Sequence, residues 1–548
     1  MQCWCWGVGL LWALAAMAPA SAQDERFNID RFQIEGNTLL PASVVQGAVS
    51  PLTGPGKVYG DIQKALEALD RAYRQAGYST VDVYVPEQEL TSGVVRIQVT
   101  ENVIGRVVVS GNKYFDNANV RAGLVALREG RAPNLREISE GIQLSNENPA
   151  KQLEVTLGAG EEEGKVDAKV AVTEDNPRRV FMTLDNTGTV ATGRTRIGLA
   201  YQHANLFNRD QTLTLAYTTS PDSPQGVQVD VFSIGYRIPF YALGDSLDII
   251  YGKSNSNTPS SSPTLGGALG ITSKGDVFGV RWNHYFARRG EYTSKLIFGF
   301  DYKYINARCT TAGTPVSIEP PTPPIAACVP YTSRPLGITY SGARLSPGQA
   351  FDYSISLAHN WPLGSKYVNV TGETDRFSYL TSSNRPTRDE FTVLRLGGSY
   401  LKAFENDWQL RLASSGQYAA NPLLAAEQFG LAGAYTVRGF NERAAAADMG
   451  FLVNNELNTP DFAKALGAQG NLRGLVFYDF ARGYNNDIVP GATTARKIGI
   501  ASVGFGVRYA ASKNFVLRAD FAQVVDSGPA GSQLRGDKRA HLSAVIGF

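Results

Sequence analysis

The chain has 548 residues, long enough for several domains, and its 52 Lys and Arg nearly balance its 50 Asp and Glu. This balance excludes the strongly basic surface that nucleic-acid binding requires, so no nucleic-acid partner is expected. The 56 glycines, 25 tyrosines and 25 phenylalanines are high for a soluble α/β enzyme and favour a large β structure with many turns.

An apolar run at residues 7–20 ends in Ala20-Ser21-Ala22, a small-residue cleavage site. The run is too short to cross a bilayer as a helix and is typical of a secretory signal peptide, here residues 1–22. The remainder has no stretch of about 18 apolar residues. A membrane protein built from it would be a β-barrel, since only helices and closed barrels satisfy their backbone polar groups in lipid.

Residues 24–101 predict a small α+β module. One helix is clear because Ile62, Leu66, Leu69 and Tyr73 recur on one face, and Gly77 is typical of a residue that ends a helix. The predicted order is β-α-α-β-β: strand 27–35, helices 41–49 and 61–76, and strands 81–85 and 94–99.

The same order repeats over residues 102–177. The turn Gly111-Asn112 matches Gly36-Asn37, which gives an internal repeat with a period near 75 residues. Each copy leaves sheet edges that an extended partner segment could join as an added strand. The predicted elements are strand 107–110, helices 118–127 and 135–146, and strands 152–157 and 166–172.

After Pro177 the pattern becomes a series of strands with period-2 alternation, which predicts a barrel domain over residues 178–548. Leu213, Leu215 and Tyr217 alternate with polar or small residues, as do Val227, Val229 and Val231, and these apolar faces are expected to meet lipid. About sixteen strands are predicted, an even number as bacterial barrels require. The connections alternate between short and long, as periplasmic turns and external loops do, with 459–470 as one long periplasmic exception.

Two cysteines, Cys309 and Cys328, remain after the signal peptide and lie in the fourth external loop of this topology. Two nearby cysteines in an exported chain most simply form one disulfide. A metal site would need more ligands nearby, so no metal is expected.

Three sequence motifs carry a family resemblance. The tetrad Val437-Arg438-Gly439-Phe440 places one cation among apolar and glycine neighbours, and it resembles the signature of outer-membrane transporters with POTRA domains. Residues 84–88 and 144–149 resemble the first and second POTRA domains of the two-partner secretion transporters (the TpsB, or ShlB/FhaC-like, family). This resemblance implies two periplasmic POTRA domains, 24–101 (ShlB-type) and 102–177, before the transmembrane barrel.

The resemblance also implies site residues. In this family the sixth external loop folds back into the lumen, and its arginine pairs with an aspartate on a later strand. Here Arg438 would pair with Asp479 of Phe477-Tyr478-Asp479-Phe480-Ala481, where Ala481 replaces the usual glycine. An unpaired charge in a partly dehydrated lumen would be unfavourable by several kcal/mol. The terminal Phe548 resembles the assembly signal of outer-membrane barrels.

The implied function is secretion of a large exoprotein across the outer membrane. The POTRA domains would capture the unfolded cargo by its N-terminal secretion domain, and the lumen would conduct it. Expected partners are this exoprotein, outer-membrane lipid and the barrel-assembly machinery. Many members carry a helix that closes the pore before the first POTRA domain, but only residues 23–26 separate the cleavage site from the first strand. The sixth loop is therefore expected to close the pore alone.

Two alternatives stay open. A barrel-assembly insertase shares the arginine motif but usually carries more POTRA repeats, and a passive porin would not need two periplasmic modules. An enzyme is not expected, because His203, His284, His359 and His541 are scattered and no Gly-x-Ser-x-Gly motif is present. No cofactor is expected.

Overall fold

The computed structural model describes residues 26–548 except 191, 225–227, 256–259, 262–269, 272–273, 308–309, 312–313, 316, 320–327, 365, 381–386, 491–493 and 529–532. The chain forms two compact units. The first runs through Gly105 and includes residues 130–135 and 160–166. The second contains the rest of the second repeat together with the barrel.

The first repeat has a three-stranded sheet in the order β2-β5-β4, with β2 parallel to β5 and β4 antiparallel to it. Its second helix buries Ile62, Leu69 and Tyr73 and ends at Gly77, which has φ +102° and donates to Arg74 O at 3.0 Å. The elements are β1 (Phe27–Ile29), β2 (Arg31–Glu35), α1 (Ala42–Val49), β3 (Gly54–Lys57), α2 (Tyr59–Ala76), β4 (Val81–Tyr84) and β5 (Val94–Glu101), with 3-10 turns at Ser50–Leu52 and Leu90–Ser92.

The second repeat has a sheet in the order β6-β8-β7. Its first helix is shorter than predicted, because Leu124 and Leu127, whose spacing suggested a longer helix, are buried in the turns that follow it. The elements are β6 (Val103–Ser110), α3 (Asn117–Ala122), α4 (Leu135–Ser145), β7 (Lys151–Ala159) and β8 (Lys165–Glu174).

A glutamate at the end of a strand stabilises the same turn in both repeats. Glu101 accepts hydrogen bonds from the N–H groups of Thr38 and Leu39, both at 2.9 Å. Glu174 accepts from the N–H groups of residues 113–115 at 2.6 to 3.2 Å. Burial alone would raise the pKa of Glu101, but the hydrogen bonds from Thr38 and Leu39 outweigh it and lower this pKa below its ordinary value.

The barrel closes with sixteen antiparallel strands, as predicted, and the last strand pairs with the first. Pro335–Ser346 continues the short strand Tyr331–Ser333. The strands are β9 (Arg178–Asp185), β10 (Arg196–Leu206), β11 (Gln211–Thr219), β12 (Asp230–Phe240), β13 (Asp245–Ser254), β14 (Gly275–Arg289), β15 (Tyr292–Ile305), β16 (Pro335–Ser346), β17 (Gln349–Asn360), β18 (Phe391–Ala403), β19 (Gln409–Ala419), β20 (Met449–Asn458), β21 (Asn471–Tyr484), β22 (Lys497–Ser512), β23 (Phe515–Asp526) and β24 (Lys538–Gly547).

The connections of the barrel carry a few short elements. These are the helix α5 (Phe377–Leu380), a 3-10 turn at Lys464–Leu466, and three two-residue strand pairs: Ser260–Ser261 with Gly270–Ile271, Thr310–Thr311 with Thr314–Pro315, and Phe429–Gly430 with Ala446–Ala447. No helix in the described part of the chain is long and apolar enough to cross a membrane.

Side chains alternate between the two faces of the barrel wall. On β21, Val476 and Tyr478 are exposed on the outer face, while Phe477 and Asp479 are buried inside. One predicted face is wrong: Val229 and Val231 are buried together with Ile250 and Val277, and Val227 lies outside the described residues. Alternation fixes which residues share a face, but it does not decide whether that face meets lipid or the interior.

We predict that Glu101→Gln speeds hydrogen exchange at the amides of Thr38 and Leu39 about tenfold at neutral pH, because it weakens hydrogen bonds to a charged acceptor. The folded-state pKa of Glu101 is lowered, so its stabilisation is complete above the unfolded pKa and is lost as the pH falls through the folded pKa. Hydrogen exchange of the full chain in detergent, read by mass spectrometry, should show the two proteins converging at acid pH.

The matched control is Glu67→Gln, which changes an exposed carboxylate on α2. Equal exchange at residues 38–39 in both variants at neutral pH would contradict the assigned role of Glu101.

Candidate functional site in the barrel interior

The sixth external loop, residues 420–448, joins β19 to β20 and returns its tip into the barrel. Within the loop, Val437 N–H donates to Leu431 O at 3.1 Å, and Gly433 N–H donates to Val437 O at 3.2 Å. Asn454, an inward residue of β20, donates to Thr436 O at 2.7 Å. As a result Arg438 has only 1% of its surface exposed, although it belongs to an external loop.

Arg438 and Asp479 meet in a two-pronged contact. Arg438 Nε donates to Asp479 Oδ2 at 2.6 Å, and Nη2 donates to Oδ1 at 2.8 Å. The backbone N–H of Arg438 also donates to Oδ2 at 3.2 Å. Such a pair fixes the orientation of the guanidinium as well as its position.

Two further carboxylates contact the same guanidinium, and sequence reasoning missed both. Arg438 Nη1 lies 2.8 Å from Glu456 Oε1 on β20 and 3.3 Å from Asp520 Oδ1 on β23. The ring of Phe477 completes the site, since its centroid is 3.5 Å from Arg438 Cζ. We call Arg438, Phe477, Glu456, Asp479 and Asp520 the Arg438 cluster.

The excess negative charge of the cluster is balanced by other arginines on the wall. Arg508 Nη2 lies 2.9 Å from Asp520 Oδ1, and Arg518 Nε lies 2.8 Å from Asp520 Oδ2. Arg411 Nη1 lies 3.5 Å from Glu456 Oε2. A loop cation therefore inserts into a network of wall charges, where removing one member leaves buried charge uncompensated.

Gly439 allows the loop to approach the wall closely. Its φ is +94°, in the left-handed region that favours glycine. A Cβ at this position would lie 3.3 Å from the Cβ of Ala522. Its N–H donates to His541 Nε2 on β24 at 2.9 Å.

Apolar side chains surround the charged cluster. Val437 and Phe440 are buried in one hydrophobic group with Leu431, Ile500 and Ala481. Ala481, which stands where the family motif has glycine, thus contributes a methyl group to the packing of the loop.

The other predicted site residues lie apart from the Arg438 cluster. Cys328 is buried and disulfide-bonded, but Cys309 is outside the described residues, so their pairing stays a prediction. Phe548 is exposed, and its backbone pairs with Val180 on β9. Across the described ranges, no group of three or more His, Cys, Asp and Glu side chains is arranged to bind a metal ion.

The second repeat contacts the periplasmic turns of the barrel through a buried ion pair. Lys151 forms a salt bridge with Asp210, and both side chains are almost completely buried. Tyr241 donates to Asp210 Oδ2 at 2.6 Å. Burial lowers the pKa of Lys151, and Asp210 offsets part of this effect.

The motif at residues 144–149 also reaches the barrel. Asn148 donates to Ala204 O at 2.7 Å. Glu147 Oε2 lies 3.3 Å from both Arg237 Nη1 and Lys295 Nζ, which are inward residues of the wall. The residues that resembled a POTRA motif therefore form the contact between this repeat and the periplasmic side of the lumen.

A family model described as haemolysin secretion/activation protein ShlB/FhaC/HecB matches residues 164–320 and 336–509, more than half of the chain. The chain belongs to this family. A second model, the ShlB-type POTRA domain, matches residues 27–102. This family member is a two-partner secretion transporter of the outer membrane, with POTRA structure in the periplasm and a secreted exoprotein as its partner. Membership supports this reading over the insertase and porin alternatives.

Curated relatives are similar over most of their length. The outer membrane transporter CdiB of Dickeya dadantii is 23% identical over 78% of this chain and 70% of its own. The heme/hemopexin transporter protein HuxB of Haemophilus influenzae is 20% identical over 95% of this chain and 88% of its own.

Solved structures share the fold. CdiB from Escherichia coli aligns with a TM-score of 0.75 at 16% identity, covering 98% of this chain and 93% of its own. CdiB from Acinetobacter baumannii aligns with a TM-score of 0.70 at 14% identity, covering 96% and 91%.

We predict that Gly439→Ala displaces the tip of the sixth loop, because the new Cβ adds a close contact with Ala522 to the backbone strain of about 1–2 kcal/mol. The matched control is Gly467→Ala, where φ is +67° and a Cβ would meet no described atom within 4 Å. Trypsin added to intact cells should cleave at Arg443 faster in the Gly439 variant only. Equal cleavage of both variants would show that close approach to the wall does not position the loop.

Proposed function

We propose that the barrel lumen of this transporter conducts an unfolded exoprotein, and that the sixth loop occupies this path at rest. The contact of Arg438 with Asp479 supports the proposal most directly. Two nitrogens of the buried guanidinium bind the two oxygens of one wall carboxylate, which gives the loop one defined position inside the barrel. Even a single extended segment of the cargo would need the space that the loop occupies.

We assign cargo capture to two POTRA domains, residues 24–101 and 102–177, which precede the barrel domain at residues 178–548. In the first sheet β2 and β4 are edge strands. Edge strands present unpaired backbone groups that an extended segment can join, and the N-terminal secretion domain of the exoprotein would bind in this way. Folding of the cargo outside the cell would then favour outward movement.

The remaining roles follow from the same proposal. Exposed apolar side chains on the outer wall, such as Leu357, Leu396 and Phe505, would contact outer-membrane lipid. Phe548 would be the signal read by the barrel-assembly machinery, and a Cys309–Cys328 disulfide would fix the fourth external loop. The protein would act as a conduit without enzymatic activity, cofactor, metal or nucleic-acid partner.

We predict that Arg438→Ala lowers secretion of the exoprotein encoded beside this transporter by about tenfold or more, because three wall carboxylates lose their shared cation. Secretion would be measured as exoprotein in the medium of cells that express both proteins. Arg438→Lys should restore little, since an ammonium cannot make the two-pronged contact.

Arg344→Ala is the matched control, because this arginine pairs with Glu291 at an exposed turn. Each variant must show wild-type heat modifiability and surface protease resistance of the barrel. A folded, inserted Arg438→Ala protein that secretes at the wild-type level would refute the role of Arg438.

We predict that Lys151→Ala destabilises the contact of the second repeat with the barrel by about 3–5 kcal/mol, because Asp210 would be left as an unpaired buried charge. Lys151→Met combined with Asp210→Asn should recover most of this loss. Lys165→Ala, which removes a surface pair with Glu162, should change stability by less than about 1 kcal/mol. The measurement is the urea concentration at which residues 106–122 lose hydrogen-exchange protection in the full chain. Equal effects of Lys151→Ala and Lys165→Ala would contradict the assignment.

A further inference from the structure

The sixth loop contains a second buried charge, Glu427, on the segment that enters the barrel. Its side chain is 3% exposed. Glu427 Oε1 lies 2.9 Å from Lys303 Nζ on β15, and Oε2 lies 3.3 Å from Arg395 Nη2 on β18. Ser333 Oγ donates to Oε1 at 3.4 Å. We call Glu427, Lys303, Arg395 and Ser333 the Glu427 cluster.

The backbone around Glu427 is fixed as well. Gln417 Nε2 donates to Glu427 O at 3.0 Å, and Gln417 Oε1 accepts from Arg395 Nε at 2.9 Å. Just before it in the loop, Leu423 and Leu424 are buried with Tyr331 and other apolar side chains of that wall. This part of the loop is therefore attached to the wall by charge, backbone hydrogen bonds and apolar packing together.

The two clusters lie on different strands of the wall and have opposite polarity. The Glu427 cluster uses wall cations of β15 and β18, whereas the Arg438 cluster uses carboxylates of β20, β21 and β23, so the two clusters contact neighbouring arcs of the barrel. At one end a loop anion meets wall cations, and at the other a loop cation meets wall anions. Like charges would face each other if the loop docked in reverse, so the polarity selects one placement.

The wall cations of the Glu427 cluster also border open space in the lumen. Lys303 and Arg395 line a cavity of about 830 Å³, which is also lined by Glu147 and Pro149 of the second repeat. The cavity thus reaches from Glu147 to the two cations that contact Glu427.

We infer that Glu427 is a second positioning residue of the secretion channel, and that the loop is held inside the barrel at both clusters. The inference rests on the proposed function, since it assumes that the loop occupies the cargo path. The Arg438 cluster fixes only the tip of the loop. The Glu427 cluster closes the cavity on the β15 to β18 side, so cargo passes only after both clusters separate.

The test is current through the purified full chain in planar lipid bilayers with potassium chloride, which needs no cargo. Glu427→Gln is expected to raise the frequency of large openings about tenfold, because a buried charged acceptor is lost. Lys303→Gln with Arg395→Gln should do the same. Glu291→Gln, at an exposed turn with Arg344, is the matched control and should match wild type.

Charge reversal separates positioning from simple damage to the fold. Glu427→Lys should open the channel more than Glu427→Gln, because three cations would then meet. Adding Lys303→Glu and Arg395→Glu to Glu427→Lys should return the openings toward wild type. A protein that merely folded poorly would not be rescued by two more substitutions.

The outcomes distinguish this inference from the proposed function. If Arg438→Ala raises the openings and Glu427→Gln does not, Glu427 has no positioning role and the inference is overturned. If neither variant changes the openings, the loop does not close the lumen and the proposed function fails as well. Rescue by reversed charges, with openings in both single variants, supports the second positioning residue.

Discussion

A buried guanidinium is the constraint on which the barrel interior depends. The Arg438 side chain cannot be buried inside the barrel unless its charge is compensated. The compensation comes from three wall strands, through Glu456, Asp479 and Asp520. These strands must therefore keep their register, and the loop must descend far enough to reach them. The position of the sixth loop, the inward face of β21 and the glycine at 439 all follow from this one contact.

The same physical problem recurs elsewhere in the chain with different solutions. Lys151 and Asp210 form an almost completely buried ion pair at the contact between the second repeat and the barrel. Glu101 and Glu174 bind backbone N–H groups in equivalent turns of the two repeats. In each case a charge is placed where only one arrangement of neighbours satisfies it, so the contact determines geometry more than it adds stability.

Ion pairs also connect the second repeat to the barrel wall within the second unit. Glu147 extends from the second repeat toward Arg237 and Lys295 of the wall, and the same lumenal cavity reaches Lys303 and Arg395. Wall side chains of both signs line this cavity, with Asp248 and Asp301 as the acidic ones.

The sequence by itself determined the repeat, the sixteen strands and the outward face of β11 with Tyr217, because each rests on periodicity along the chain. It also marked Arg438, Asp479 and Gly439 through a family motif. It did not identify Glu456, Asp520 or Glu427. Their roles depend on which strands the loop crosses, and barrel closure decides that by bringing residues from distant strands to one point.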